Sequence, residues 1–193
     1  VYTYDTTKAR SLLADAGYPN GFEVKVVAPE QVKLEGQIIK TMLERIGLKV
    51  KLNVLPRVEF YRRVYIPALD KLPEEQDWDI GLDDVLDFYG HTGATLLSWP
   101  FIEDSGFRWI EYDQAYEEMW KDMAGTVDRE AQEEKIRRMV QYIYERAYVI
   151  FIYSPLSLYA ASKEVSFVPQ KFRTLRLKET SVTDNHWSVR GAE

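Results

Sequence analysis

The sequence predicts an α/β fold with a mixed, mainly parallel sheet and helices on both faces. Three observations carry this. Phe22 to Pro56 changes hydrophobic period twice, from two to about 3.6 and back to two. A second stretch, Tyr112 to Arg146, reads as two consecutive helices, and a continuous apolar run, Tyr148 to Tyr153, follows it. Strand, helix, strand in the length of Phe22–Pro56 is a βαβ unit, whose crossover is right-handed and whose strands lie parallel.

Within that unit, Phe22, Val24 and Val26 alternate with Glu23 and Lys25 before Val27-Ala28. Leu34, Ile38, Ile39, Met42, Leu43 and Ile46 then recur at helical spacing, which predicts one apolar stripe packed on the sheet. Gly47 stands where a helix C-terminus favours a left-handed residue. Leu48, Val50, Leu52 and Val54 alternate with Lys49, Lys51 and Asn53 as the second strand.

Ahead of the unit, Asp5 to Gly17 reads as a short helix, with Asp5 or Thr6 as cap and Leu12, Leu13 and Ala16 as its buried face. Tyr18-Pro19-Asn20-Gly21 is a turn. Behind it, Arg57 to Tyr65 reads as a helix stopped by Pro67, Ala68 to Asp77 as loop, and Trp78 to Leu82 as a short strand. Asp83 to Phe107 is the least regular region, with Gly, Pro and clustered aromatics, a composition more typical of functional loops than of core.

The helix over Tyr112–Ala124 presents Ala115, Tyr116, Met119, Trp120 and Met123 on one face. Asp128 caps the next helix, lined by Ile136, Met139, Val140, Ile143 and Ala147. Tyr148 to Tyr153 is too short for a helix and reads as a strand buried on both faces. After Ser162 the signals are short, with Val165–Val168, Phe172–Leu177 and His186–Val189 as strands or extended chain.

The totals bound the function. A chain of 193 residues hides roughly 70% of the surface its unfolded form exposes, enough for a sizeable core. A net charge of −6 argues against a nucleic-acid surface and against a polybasic membrane patch. With no cysteine there is neither a disulfide nor a thiolate nucleophile. No apolar run reaches the ~18 residues of a spanning helix.

His91 and His186 lack any close partner at metal-ligand spacing, and surface or capping histidines are the simpler reading. Asp83, Asp84 and Asp87 fail the calcium-loop pattern, but a carboxylate pair for glycoside hydrolysis stays open. Neither a GxSxG elbow nor a phosphate-binding glycine loop is present, and no cofactor is expected. Phe88, Tyr89, Trp99 and Trp109 cluster in the irregular region, where packing and ligand stacking are equally open to them.

An ordered series of segments resembles one family. Tyr4-Asp5 and Lys8 to Phe22 (KARSLLADAGYPNGF), Glu44 to Val50 (ERIGLKV), Asp77-Trp78-Asp79-Ile80, Tyr112-Asp113, Val149 to Tyr153 and Ser157 to Ala160 resemble the second half of the family 5 extracellular solute-binding proteins. These are the oligopeptide, dipeptide and nickel-type receptors of ABC importers. The resemblance implies a periplasmic-binding-protein-like lobe over residues 1–161, with 162–193 as a tail crossing back toward a missing N-terminal lobe, and Val1 as a domain boundary. It implies a non-catalytic role: capture of an oligopeptide, or in some relatives an oligosaccharide, between two lobes, and delivery to membrane permease subunits. The implied location is periplasmic or extracellular, with a lipid anchor as one form the full-length parent takes. Asp87-Phe88 resembles the Asp-Tyr pair whose carboxylate meets a peptide's ammonium group, although Gly90-His91 stands where the family has Asp-Pro. The implied ligand contacts are Asp87, Phe88, Tyr89, His91 and Trp99. Two readings from other classes remain beside this one: a hydrolase using Asp83, Asp84, Asp87 and Glu103, and a purely structural interaction domain.

Overall fold

The computed structural model describes residues 2–84, 97–107, 109–154, 156, 158–169 and 176–190. They fall into two compact units, one built from residues 1–85 and 97–125 and the other from 86–96 and 126–193.

The first unit is organised around a three-stranded parallel sheet in the order β2-β1-β3, with β1 Glu23–Pro29, β2 Lys49–Leu55 and β3 Ile80–Gly81. The β1–β2 register pairs Glu23 with Lys49 and runs without a break to Pro29 with Leu55. Helix α1 (Thr6–Asp15) precedes β1, and α2 (Lys33–Arg45) connects β1 to β2, so the expected βαβ unit forms. One sheet face buries Val24, Val26, Leu48 and Val50 against Leu13 of α1 and Leu43 and Ile46 of the α2 end. The other buries Val27 against Phe60, Val64 and Tyr65 of α3, which runs from Arg57 to Phe60 and widens into a π-helical turn over Tyr61–Tyr65. Helices therefore cover both faces of a parallel sheet. The alternation along β1 explains this. Val24 and Val26 point one way, and Val27, one residue out of phase, points the other.

Gly36 is buried in the middle of α2, and a Cβ there would stand 3.2 Å from Leu52 Cδ1, so its absence lets the helix lie close to the sheet. Only half of the predicted α2 stripe faces inward. Ile39, Leu43 and Ile46 are half-buried, whereas Leu34, Ile38 and Met42 are exposed. Six apolar positions over thirteen residues span a wider arc than one sheet contact covers. In α1 the prediction also overreached: Asp5 caps it by accepting from Lys8 N at 2.9 Å, but Leu12 and Ala16 are exposed.

The unit closes with helix α4, Gln114–Ala124, capped by Asp113. Tyr116 and Met123 are buried on it, and the Tyr116 hydroxyl donates to Leu97 O at 2.7 Å. Burial pushes the Tyr116 pKa upward.

In the second unit, helix α5 spans Arg129–Glu145. Asp128 caps it, accepting from Ala131 N at 2.8 Å, as the sequence predicts. Met139 and Ile143 are buried, while Val140 is exposed. Ala147, expected on the buried line, is exposed and left-handed at φ 55°, where the chain leaves the helix.

The predicted strand over Tyr148–Tyr153 does not form. Ile150, Phe151, Ile152 and Tyr153 are consecutive and 64, 58, 47 and 63% exposed. An apolar run becomes a buried strand only when neighbours supply ladder partners on both sides, and the described residues supply none. A small antiparallel ladder, β4 Val165–Ser166 with β5 Ser181–Val182, pairs Val165 with Val182. Its second strand had no clear sequence signal. The chain turns helical over α6, Trp187–Arg190, where extended chain was expected. Phe172 to Leu177 falls largely outside the described residues.

Candidate functional site

In a parallel sheet the chain leaves every strand at one edge, and open α/β folds place ligand sites there. At that edge of the first unit, β2 hands over to Arg57 and β3 to Asp83 and Asp84. Arg57 Nη1 lies 2.5 Å from Asp83 Oδ1 and 3.1 Å from Asp84 Oδ1. The Tyr65 hydroxyl donates to the other Asp83 oxygen, Oδ2, at 2.5 Å, and Asp84 N donates to Oδ1 at 2.8 Å. Every Asp83 oxygen is thus engaged, and its charge faces a guanidinium. That makes Asp83 an anchor for the strand end rather than an unoccupied general base.

The partners respond unequally to this contact. Burial drives the Asp83 carboxyl above its ordinary pKa and outweighs the opposing pull of Tyr65 and Arg57. For the less buried Arg57, burial works against the charge but Asp83 and Asp84 more than offset it, so its proton is held more tightly. Tyr65 is pushed up, first by burial and then by donating to Asp83.

Aromatic rings extend the ledge. Tyr61, exposed, stacks on Tyr65 with centroids 4.3 Å apart, and Arg57 Cζ sits 5.4 Å from the Tyr61 ring. Tyr65 meets Trp109 edge-on at 4.8 Å and Phe107 at 5.7 Å. Trp109 is pinned by its indole N–H, which donates to Val64 O at 3.1 Å. Trp99, half-buried, reaches the same chain of rings through Phe107 at 5.9 Å.

Of the sequence-predicted contacts, Trp99 therefore lies in an aromatic cluster continuous with Asp83 and Arg57. Asp87, Phe88, Tyr89 and His91 lie outside the described residues. Glu103, from the carboxylate set considered for hydrolysis, is exposed on a short 3-10 turn, and its N–H donates to Glu117 Oε2 at 3.3 Å. His186 belongs to the second unit and contacts Ser188 Oγ through Nδ1 at 2.7 Å. Among the described residues no group of three or more His, Asp or Glu is placed to hold a metal, and no helix is long and apolar enough to cross a membrane.

Sequence reasoning missed Arg57, Tyr61 and Tyr65. Their signal was present but faint: Arg57 directly follows Pro56 at a strand end, and two tyrosines four residues apart share one helix face.

No protein-family model matches the chain, and no curated protein matches its sequence. Solved structures do match its fold. A dipeptide binding protein from Pseudoalteromonas sp. SM9913, in complex with Met-Leu, superposes with a TM-score of 0.68 at 17% identity over 93% of this chain. HbpA2 from Haemophilus parasuis does so with a TM-score of 0.65 at 19% identity over 94%. The periplasmic binding protein DppA from Helicobacter pylori, in complex with the peptide STSA, follows with a TM-score of 0.55 at 21% identity over 76%. The chain spans only 36, 36 and 28% of those three chains. At these identities the likeness establishes a periplasmic-binding-protein-like α/β fold.

Proposed function

We propose that this chain is one lobe of a two-lobed, family 5 solute-binding receptor that captures an oligopeptide for an ABC importer. The observation that carries the reading is the fold match: nearly all of this chain superposes on about a third of a dipeptide-binding protein. The exposed run Ile150–Tyr153 fits the same reading, because contiguous exposed apolar surface marks a contact site. In this reading the run and the tail after residue 161 meet an N-terminal lobe, and permease subunits in the membrane receive the loaded receptor outside the cytoplasm.

The ledge of Arg57, Tyr61, Asp83, Asp84 and Trp99, with Asp87, Phe88, Tyr89 and His91 nearby in sequence, forms half of the ligand contact. Closure then supplies the rest, and the ligand shifts an open–closed equilibrium by touching both lobes. The role is binding rather than turnover, since Asp83 is committed to Arg57 and Tyr65. An oligosaccharide is the second ligand class, favoured by the partly exposed Tyr61 ring at the end of the aromatic cluster.

A lone lobe offers only half the contacts, so calorimetry on the 193-residue chain is expected to show weak binding of di- to tetrapeptides. Fusion to the remaining lobe is expected to tighten it by orders of magnitude. Tight peptide binding by the chain alone overturns the two-lobe reading. Peptide or glycoside turnover lost on Asp87→Asn overturns the non-enzymatic one.

A further inference from the structure

We propose that the outward face of α2 is a self-association surface, on which a second copy of this chain docks its own α2 in the antiparallel sense. This rests on the first unit alone and is independent of the solute-binding reading. The helix carries two apolar faces. Gly36, Ile39, Leu43 and Ile46 serve the sheet, while Leu34, Ile38 and Met42 are 65, 50 and 40% exposed. Consecutive members of the exposed set are four residues apart, so they form a single i±4 ridge. The positions beside them on the outer surface, Gln37 and Thr41, are uncharged, and the Thr41 hydroxyl is already satisfied by the Gln37 carbonyl at 2.9 Å. Loss of charge at the centre of a patch is the compositional mark of an interface core.

Tyr4 stands beside the ridge, and together with Gln37, Ile38, Thr41, Met42 and Arg45 it lines an open groove of about 460 Å³. A ridge next to a groove is what ridges-into-grooves packing requires of both partners.

The charges select the occupant. The C-terminal end of α2 is net basic, with Arg45 and with Arg10 donating to the Arg45 carbonyl, while Glu44 is paired with Lys40. The entry to α2 is net acidic, with Glu30 in the preceding 3-10 turn and Glu35 in the first helical turn against the single cation Lys33. A two-fold axis at Ile38 sets Ile38 against its own copy and Leu34 against Met42. The same axis brings Arg45 level with Gln31, beside Glu30. The patch is therefore complementary to itself in both shape and charge, the condition for an isologous contact. Its small extent places it with weak, reversible interfaces.

Sedimentation velocity of the whole chain across a concentration series tests this. The expected result is a monomer–dimer equilibrium that weakens as salt rises. Ile38→Glu is expected to raise the dissociation constant by about tenfold or more, with unchanged circular dichroism because the position is exposed. Arg45→Glu and Glu30→Arg each weaken the dimer by about threefold, and the double charge swap restores it. A chain that stays monomeric to its solubility limit overturns the proposal. So does a dimer indifferent to Ile38→Glu, or one abolished instead by the paired substitution Ile150→Ser, Phe151→Ser.

Discussion

At the scale of single residues, Asp83 decides how the candidate site behaves. Its side chain is largely buried, its oxygens are all occupied, and burial still lifts its pKa above its ordinary value. A raised carboxyl means that the folded state binds a proton more readily than the unfolded state. The stability that proton contributes is full below the unfolded pKa and is lost as pH rises through the folded one. Surface carboxylates act in the opposite sense here. A hydrogen bond from Lys51 holds Glu23 low, and Arg137 and Arg138 hold Glu134 low. The informative quantity is therefore a difference. Unfolding free energies of the wild type and of Asp83→Asn, measured by urea titration from acid to neutral pH, are expected to converge or cross as pH rises. The wild type is expected to lose its relative advantage through the window above the ordinary aspartate value. A wild-type advantage that grows with pH there contradicts the burial argument.

Asp83, Asp84 and Trp99 were visible in the sequence as members of an irregular acidic and aromatic stretch. The link from Asp83 to Arg57, 26 residues earlier, was not. Ion-pair partners drawn from two strand ends are set by the order of strands in the sheet, and a single sequence does not state that order.

At the scale of elements, the βαβ unit was legible because its hydrophobic period changes sharply and Gly47 marks the end of its helix. The turns that join its pieces carry a constraint that only their packing exposes. Gly21, between α1 and β1, has φ +66°, and a Cβ there would sit 2.0 Å from the Gly47 carbonyl oxygen. Gly47, between α2 and β2, has φ +101° but nothing within 4 Å of its Cβ position. Both glycines supply a left-handed turn, but only Gly21 also permits backbone contact between two turns. Gly47→Ala is expected to cost about 1–2 kcal/mol from left-handed strain alone. Gly21→Ala is expected to cost at least about 3 kcal/mol, because the backbone must move as well. Denaturant midpoints of the two variants rank them, and equal losses refute the contact. The α2 stripe shows the reverse limit. Periodicity located six apolar positions correctly, but it did not reveal that one ridge of them faces away from the sheet.

At the scale of the whole molecule, the packed sheet of the first unit contrasts with the exposed apolar residues Ile150–Tyr153 of the second. Leu156 and Leu158 are exposed along with Ile150 to Tyr153. A substitution there removes no buried contact. Ile150→Asn with Ile152→Asn is expected to change unfolding free energy by no more than about 0.5 kcal/mol per site while lowering binding of a hydrophobic dye. Ile143→Ala, in the buried face of α5, is expected to cost about 2–5 kcal/mol. Comparable losses from both mean the run is packed in solution.

The sequence alone determined the parallel βαβ core, the aspartate cap at Asp128, a cap for α1 narrowed to Asp5 or Thr6, and the class of fold. Those features depend on the local period of apolar residues and on side chains that bond the backbone within three positions. Tertiary structure decided which apolar residues are buried and which charges meet. It turned half of α2 outward, left Ile150–Tyr153 exposed, and joined Asp83 to both Arg57 and Tyr65. The physical reason is that burial and pairing depend on what lies across a contact, and the identity of that neighbour is not encoded in the spacing of residues along one segment.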